Sequence, residues 1–340
     1  MLFSHPNKIF FAFVLLTAFL GGCSKDDDPA TTEPVDRNRI AYIIEDNFNF
    51  TTCRSVIEFT GQTKRLRSDT VVTFLAPDNT AFMLQGINLV PHYNFSDDWF
   101  RNAAGSMVLP GAHSLRALPL GDNQPLLTAT GNKVYVSRYK LGTDTITRIN
   151  GAKVAMADIR AANGLIQSMT EIVQAETKKD LAGLLMSDTS LTLFTQALQH
   201  SGLLTMMKTG EYTILAPHNA VLRSKGEVLP GIDLSSTMKI LETDPVSLAA
   251  LLKYHIIPGR YFLDGIHRAA IASGNASVAT LHGAAITIGG NMDNYNSTSF
   301  LGRQNAGAAG IYRLYSAQNN FANFPAGNGV VHAINQVLIP

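Results

Sequence analysis

The stretch TVVTFLAPDNTAF, Thr70 to Phe82, returns in altered form as EYTILAPHNAVL, Glu211 to Leu222. Each copy is a short β-branched apolar run, the pattern of a buried strand. Each run ends in Ala-Pro, and Pro77 or Pro217 has no N–H to give a ladder, so the strand stops there. Asp78-Asn79 and His218-Asn219 then supply side chains that can cap the first turn of a helix. The same strand-to-helix corner thus occurs twice, about 140 residues apart.

Working outward, the surroundings of the two corners also repeat. Apolar residues at helical spacing precede each one, at Arg39 to Asp46 and Thr51 to Gly61 in the first copy and in LAGLLMSD and LTLFTQALQHSGLL in the second. Downstream, VLPGAH (Val108–His113) matches IIPGRY (Ile256–Tyr261), and ANGLIQSMTEIV (Ala162–Val173) matches GNGVVHAINQVLIP (Gly327–Pro340). Between these landmarks lie alternating or β-branched runs divided by Gly and Asn, with IYRLYSA (Ile311–Ala317) set against VAMADIRA (Val154–Ala161). Helices come first and strands last in each copy, an α+β order and not the βαβ alternation of a parallel sheet. The reading divides the chain at 37–175 and 176–340, which agrees with two cores for 340 residues.

The ordered set of landmarks resembles the fasciclin-like domain. That family's signatures are a strand followed by Ala-Pro-polar-Asn, a Tyr-His-apolar-apolar-Pro-Gly block, and a closing Asn-Gly-apolar-apolar-His. The first is present in both copies. The second is complete only at Tyr254 to Gly259, since Ser106-Met107 stands in the first copy, and the third is intact at Asn328 to His332, while Gln167 replaces the His in the first. The resemblance implies two domains, each a short β-sandwich or wedge with flanking helices, acting by adhesion or binding and not by catalysis. It also implies a receptor-binding role for Tyr254 and His255. Read from their surroundings alone, these two and His332 are core residues with satisfied polar atoms, and both readings stay open.

Residues 1–22 read as an export signal: Lys8 gives a positive start, Ile9 to Leu20 is apolar but too short to span a bilayer, and Leu20-Gly21-Gly22 supplies small residues before Cys23. LGGC resembles a bacterial lipobox, which implies that Cys23 becomes the acylated N-terminus and holds the protein on a membrane, each buried methylene adding about 0.8 kcal/mol. Residues 23–36 are acidic, Pro- and Thr-containing and poor in large apolar side chains, an unstructured tether. Ser24-Lys25-Asp26-Asp27-Asp28 resembles the surface-export signal of Bacteroidetes lipoproteins. The expected location is therefore the outer membrane, on its outer face. With Cys23 acylated, Cys53 is the one remaining thiol, and it reads as a buried structural residue.

Charge is nearly balanced, 27 Lys and Arg against 26 Asp and Glu, and residues 37–175 (14 against 11) and 176–340 (11 against 10) share that balance. Nucleic acid is excluded as a partner on this ground. The chain carries no His-Glu-x-x-His, Cys-x-x-Cys, Gly-x-Ser-x-Gly or phosphate-cradling glycine loop, so no catalytic residue, metal or cofactor is expected. Its least ordinary stretch is NMDNYNSTSFLGRQNAGAAG (Asn291–Gly310) with QNNFANFPAGNG (Gln318–Gly329), rich in Asn and Gly and carrying Tyr295, Phe300, Phe321 and Phe324. Asn amides beside aromatic faces suit sugar hydroxyls and C–H faces, and the same composition fits a loop packed on its own domain. LVPHYNF (Leu89–Phe95) is a shorter counterpart in the first copy. Two functions follow as expectations: a lipid-anchored adhesion protein binding an extracellular protein or matrix ligand, and a glycan-binding accessory of an outer-membrane nutrient-uptake system. Self-association is compatible with both.

Overall fold

The computed structural model describes residues 36–88, 90–91, 96–176, 179–314, 317–320 and 322–340, without the side chains of 295–296, 313–314 and 317–320. Residues 1–35, where the export signal, Cys23 and the tether are expected, Leu89, His92 to Phe95, the Tyr295 side chain and Phe321 lie outside the described residues.

Each repeat is built on two parallel strands. In the first, the opening strand Val72–Pro77 pairs with the closing strand Gly164–Met169, Val72 opposite Gly164 and Pro77 opposite Met169. In the second, Tyr212–Pro217 pairs with Gly329–Ile334 in the same register. All twelve of these residues in the first pair, apart from two of the closing strand, are buried, which accounts for runs without polar alternation. A short antiparallel strand from the Pro-Gly block, Val108–Pro110 or Ile256–Pro258, flanks each opening strand.

Beyond the closing strand the first sheet continues through Ala152–Ala161, Asp144–Ile149, Lys133–Leu141 and Gly121–Leu127, seven strands in all. The strand Ala152–Ala161 bends the sheet. Its first two residues pair with Asp144–Ile149, and the rest pairs with the closing strand through irregularities between Val154 and Met156 and between Met156 and Ile159. Such bulges add twist and kink a strand, so the two halves of the sheet curl around one core. Phe74, Ile166, Val134, Val136 and Ile149 meet there with Phe82, Phe100 and Ile57 from the helices.

In the second repeat the strands fall into separate sheets. Ser277–Ala279, Ala285–Asn291, Asn294–Leu301 and Ala309–Gly310 form one, joined to the closing strand by a bridge between Ile311 and Ile334. The match of IYRLYSA to VAMADIRA holds at its start, where Ile311 bridges Ile334 as Val154 pairs with Met169, each of these closing-strand residues lying opposite the proline that ends the opening strand. Beyond it the two repeats part: Arg313–Leu314 pairs with Ala317–Asn320, and among the described residues the pairing with the closing strand resumes at Phe324–Ala326. Phe324 faces Val331 as Ile159 faces Ile166, and Asn323 has the left-handed φ of 59° that Asp158 has at 62°.

The helices obey their spacing. Thr51–Phe59 buries Cys53, Val56 and Ile57 on one stripe, and Thr192–His200 buries Leu193, Phe194, Ala197 and Leu198. No helix among the described residues is long and apolar enough to cross a membrane.

Candidate functional site

The signature residues are tied into the same hydrogen-bond knots in both repeats. At the corner, Asp78 accepts from the Ala81 N–H (2.8 Å) and His218 Nδ1 from the Ala220 N–H (3.1 Å), capping the helices that follow. The adjacent Asn reaches the other way. Asn79 accepts from the Thr52 N–H (3.0 Å) and donates to the Phe48 carbonyl (2.8 Å), while Asn219 accepts from the Leu193 N–H (3.0 Å) and donates to the Thr189 carbonyl (2.9 Å). Each thereby fixes the first turn of an earlier helix.

In the Pro-Gly block the Thr73 hydroxyl donates to the Gly111 carbonyl and accepts from the His113 N–H, at 2.8 and 2.7 Å. Thr213 does the same with Gly259 and Tyr261, both at 2.8 Å. In the closing motif, Asn163 accepts from Ile40 N–H (2.9 Å) and donates to the carbonyls of Leu66 (2.8 Å) and Ser68 (2.9 Å). Asn328 repeats this with Leu181, Met207 and Gly210 at 2.7, 2.9 and 2.7 Å. The glycine after it cannot be replaced by a larger residue, because a Cβ would stand 1.8 Å from the Val72 carbonyl oxygen at Gly164 and 2.0 Å from that of Tyr212 at Gly329.

Gln167 and His332 occupy one position. The Gln167 amide accepts from the Asp158 N–H (2.8 Å) and donates to the His113 carbonyl (3.2 Å). The His332 ring accepts from the Asn323 N–H through Nδ1 (3.1 Å) and donates from Nε2 to the Tyr261 carbonyl (3.0 Å). A neutral imidazole with its proton on Nε2 offers the same donor and acceptor as an amide, which explains how the two residues exchange. Burial holds His332 down to about 4.

Tyr254 is fully buried, donating to the Ala285 carbonyl (2.8 Å) and accepting from the Arg303 N–H (3.3 Å). His255 is also fully buried, its Nδ1 on the Leu251 carbonyl (3.2 Å) and its Nε2 accepting from the Leu338 N–H (2.9 Å), and burial lowers it to about 4. Phe300 has no exposed surface, and half-buried Phe324 packs on the core of the second repeat. Tyr254, His255 and Phe300 can therefore touch a ligand only if the fold opens. Of the six candidate ligand residues, the described side chains form no shared surface site.

Where sequence reasoning found nothing, the structure has a built interface between the repeats. Arg260, which follows the second Pro-Gly, donates to the carbonyls of Ala326, Gly327 and Gly329 and lies over the Tyr135 ring, 4.1 Å from its centroid. Its own carbonyl accepts from Asn123 (2.8 Å). Arg268 pairs with Asp122 (2.8 Å) and covers the Tyr139 ring at 4.2 Å. From the first repeat, buried Arg148 donates to the Tyr139 hydroxyl (3.0 Å), the Met292 carbonyl (3.2 Å) and Asp293 (2.5 Å). Tyr135, Phe262 and Val330 form a small apolar cluster within this seam. Buried Asp264 is raised by desolvation, against the opposing pull of Arg268 and Arg148. The connecting segment is tied down as well, Glu176 accepting from the Tyr135 hydroxyl (2.5 Å) and its N–H donating to the Lys133 carbonyl (2.8 Å). The one signal available in the sequence is asymmetry: Ala112 stands in the first repeat where Arg260 stands in the second.

The sequence profile of the fasciclin domain matches residues 48–174 and again residues 189–340. The chain belongs to the fasciclin domain family. The transforming growth factor-beta-induced protein ig-h3 of Sus scrofa is 28% identical over 212 residues, 62% of this chain and 26% of that protein. The ig-h3 protein of Oryctolagus cuniculus is 30% identical over 225 residues, 64% of this chain and 31% of that protein. The chain thus matches between a quarter and a third of the length of these curated relatives. Among solved structures, a FAS1 domain pair from the insect cell adhesion molecule fasciclin I aligns with 86% of this chain and 98% of its own, at 17% identity and a TM-score of 0.38. Fasciclin domains occur in cell adhesion proteins, and in this chain the fasciclin signatures are what hold each domain together.

Proposed function

We propose that this tandem fasciclin protein is a lipid-anchored, non-catalytic adhesion or interaction protein on the outer face of an outer membrane, binding an extracellular protein or matrix ligand. The observation that carries the reading is the pair itself: two fasciclin domains whose polar signature residues are consumed by internal hydrogen bonds, with a seam that presents both as one surface. Such an arrangement recognises by shape over a wide area, the mode of a contact protein. Cys23 and the acidic tether would hold that surface away from the membrane.

The test uses residues 37–340 immobilised on beads and the full chain on intact cells. Beads should retain a matrix or cell-surface protein, and protease added to intact cells should remove the full chain. No capture from matrix or host-surface extracts, together with protection from external protease, would refute the reading. The glycan-accessory alternative rests on fewer residues than its composition promised, because Phe300 and Phe324 face the core; a polysaccharide titration that responds to Tyr295→Ala or Phe321→Ala would support it.

A further inference from the structure

His332 lies directly beneath the seam. Its Nε2–H holds the carbonyl of Tyr261, the residue between the seam contacts Arg260 and Phe262. Its Nδ1 holds the N–H of Asn323, whose side chain accepts from the Leu263 N–H at 2.9 Å. Leu263 opens the helix Leu263–Ala272, which has no side-chain cap from the preceding residue, so Asn323 supplies it. That helix carries Asp264, His267 and Arg268, and Arg268 makes the ion pair to Asp122 across the seam. One imidazole thus fixes both the loop and the helix that the second repeat offers to the first.

We propose that His332 is an acid-operated release for the inter-repeat seam, its protonation freeing the Arg260–Ala272 segment from the first repeat. The chemistry is a conflict of donors. An imidazolium has N–H on both nitrogens, so Nδ1–H would point at the Asn323 N–H that it now accepts from. The ring must leave, and Asn323 loses the backbone position that puts its amide on Leu263. No acidic group offsets the new charge: burial dominates, and only the Tyr261 carbonyl favours the proton. The nearest charged groups on the surrounding elements are already engaged. Arg260 is bound to the closing-motif carbonyls and Glu211, and Asp264 is bound to Arg268. Across the seam, Asp122 pairs with Arg268, Asp293 with Arg148 and Lys153, and Glu176 with Tyr135 and Lys133. On the same helix as Asp264, His267 shares a hydrogen bond with Thr298 of the strand Asn294–Leu301 and is lowered by burial and by Arg148. The first repeat, with Gln167 in this place, has no such group.

A ring that titrates near 6.5 when released and near 4 when held favours release about 30-fold more at pH 5.0 than at pH 7.5. Hydrogen exchange of residues 37–340, corrected for the intrinsic rate at each pH, reads this directly. Amides of 261–272 should lose about 30-fold in protection over that range and stay less protected than those of the opening strand Tyr212–Pro217, which exchange only when the whole repeat unfolds. In His332→Gln, which installs the amide used at Gln167, the loss at 261–272 should fall below threefold. Should that variant not fold, Asn323→Ala keeps the titrating ring, cuts its tie to Leu263, and should likewise abolish the pH-dependent loss. The proposal is overturned by unchanged protection in the wild type, by an equal loss in His332→Gln, or by protection at 261–272 that equals that of Tyr212–Pro217 at pH 5.0, which would mean unfolding of the whole repeat.

Discussion

Replacing Asn163 by Ala removes three hydrogen bonds at once and leaves the Ile40 N–H and the carbonyls of Leu66 and Ser68 without this partner. Asn163 is buried, and each such bond is worth about 1 kcal/mol net, with a further penalty for the groups left unpaired, so the loss should be about 3 to 5 kcal/mol. Against a domain stability of about 5 to 15 kcal/mol, that brings the first repeat to marginal stability. Asn163→Asp should do no better, since a carboxylate keeps the acceptor for Ile40 but turns its second oxygen on two carbonyls. Trp99, the only tryptophan, sits in the helix Asp97–Ser106 of the first repeat and gives a local fluorescence signal for urea unfolding. With a slope near 2 kcal/mol per molar urea, the Trp99 midpoint should fall by about 2 M. The matching Asn328→Ala should lower the far-ultraviolet dichroism transition of the second repeat by a similar amount. A loss below about 1 kcal/mol at Asn163 would refute the argument that this side chain organises the domain.

Other outcomes follow from single sites. Gly164→Ala and Gly329→Ala should each cost more than about 3 kcal/mol by denaturant melting, because the new Cβ would overlap the carbonyl oxygen of the facing strand. Burial, reinforced by Asp264 and opposed by Arg148, raises Glu171 to about 8, so the native state keeps its proton while the unfolded chain releases it above about 4.5; stability then declines as pH rises from 4.5 to 8, and Glu171→Gln should stabilise the protein at pH 7.5 more than at pH 5, by up to about 1.4 kcal/mol per pH unit in melting experiments. Cys53 is fully buried and its thiol is raised by desolvation, so a thiol reagent at pH 8 should label it only after denaturant is added.

The parts of the fold legible in the sequence were those whose chemistry is local. Pro77 and Pro217 stop their strands, Asp78 and His218 cap the helices that follow, and Cys53, Val56 and Ile57 mark a helix by spacing alone. What depends on distant partners was not legible. Asn79 and Asn219 look like part of a cap, yet each clamps the start of a helix about thirty residues earlier. IYRLYSA begins where VAMADIRA does, with Ile311 on Ile334 as Val154 is on Met169, but the rest of the pairing resumes only at Phe324, beside Asn323 and its bond to His332, a contact no periodicity reveals. Aromatics in an Asn-rich stretch read as a ligand surface, whereas Phe300 is pulled inside by its place opposite Ile288 on the buried face of a sheet. The seam was least visible, because Tyr135, Tyr139, Arg148 and Arg268 are scattered outside the repeated motifs, and Arg260, inside one, stands where the first repeat has Ala112.

That seam holds the two copied domains together as one body, and this is the claim most open to a direct test. Residual dipolar couplings from the backbone amides of residues 37–340 at pH 7.5 report the orientation of each repeat separately. A single alignment tensor should fit both, and Arg260→Ala with Arg268→Ala should split it in two. Two different tensors in the wild-type protein would contradict the account.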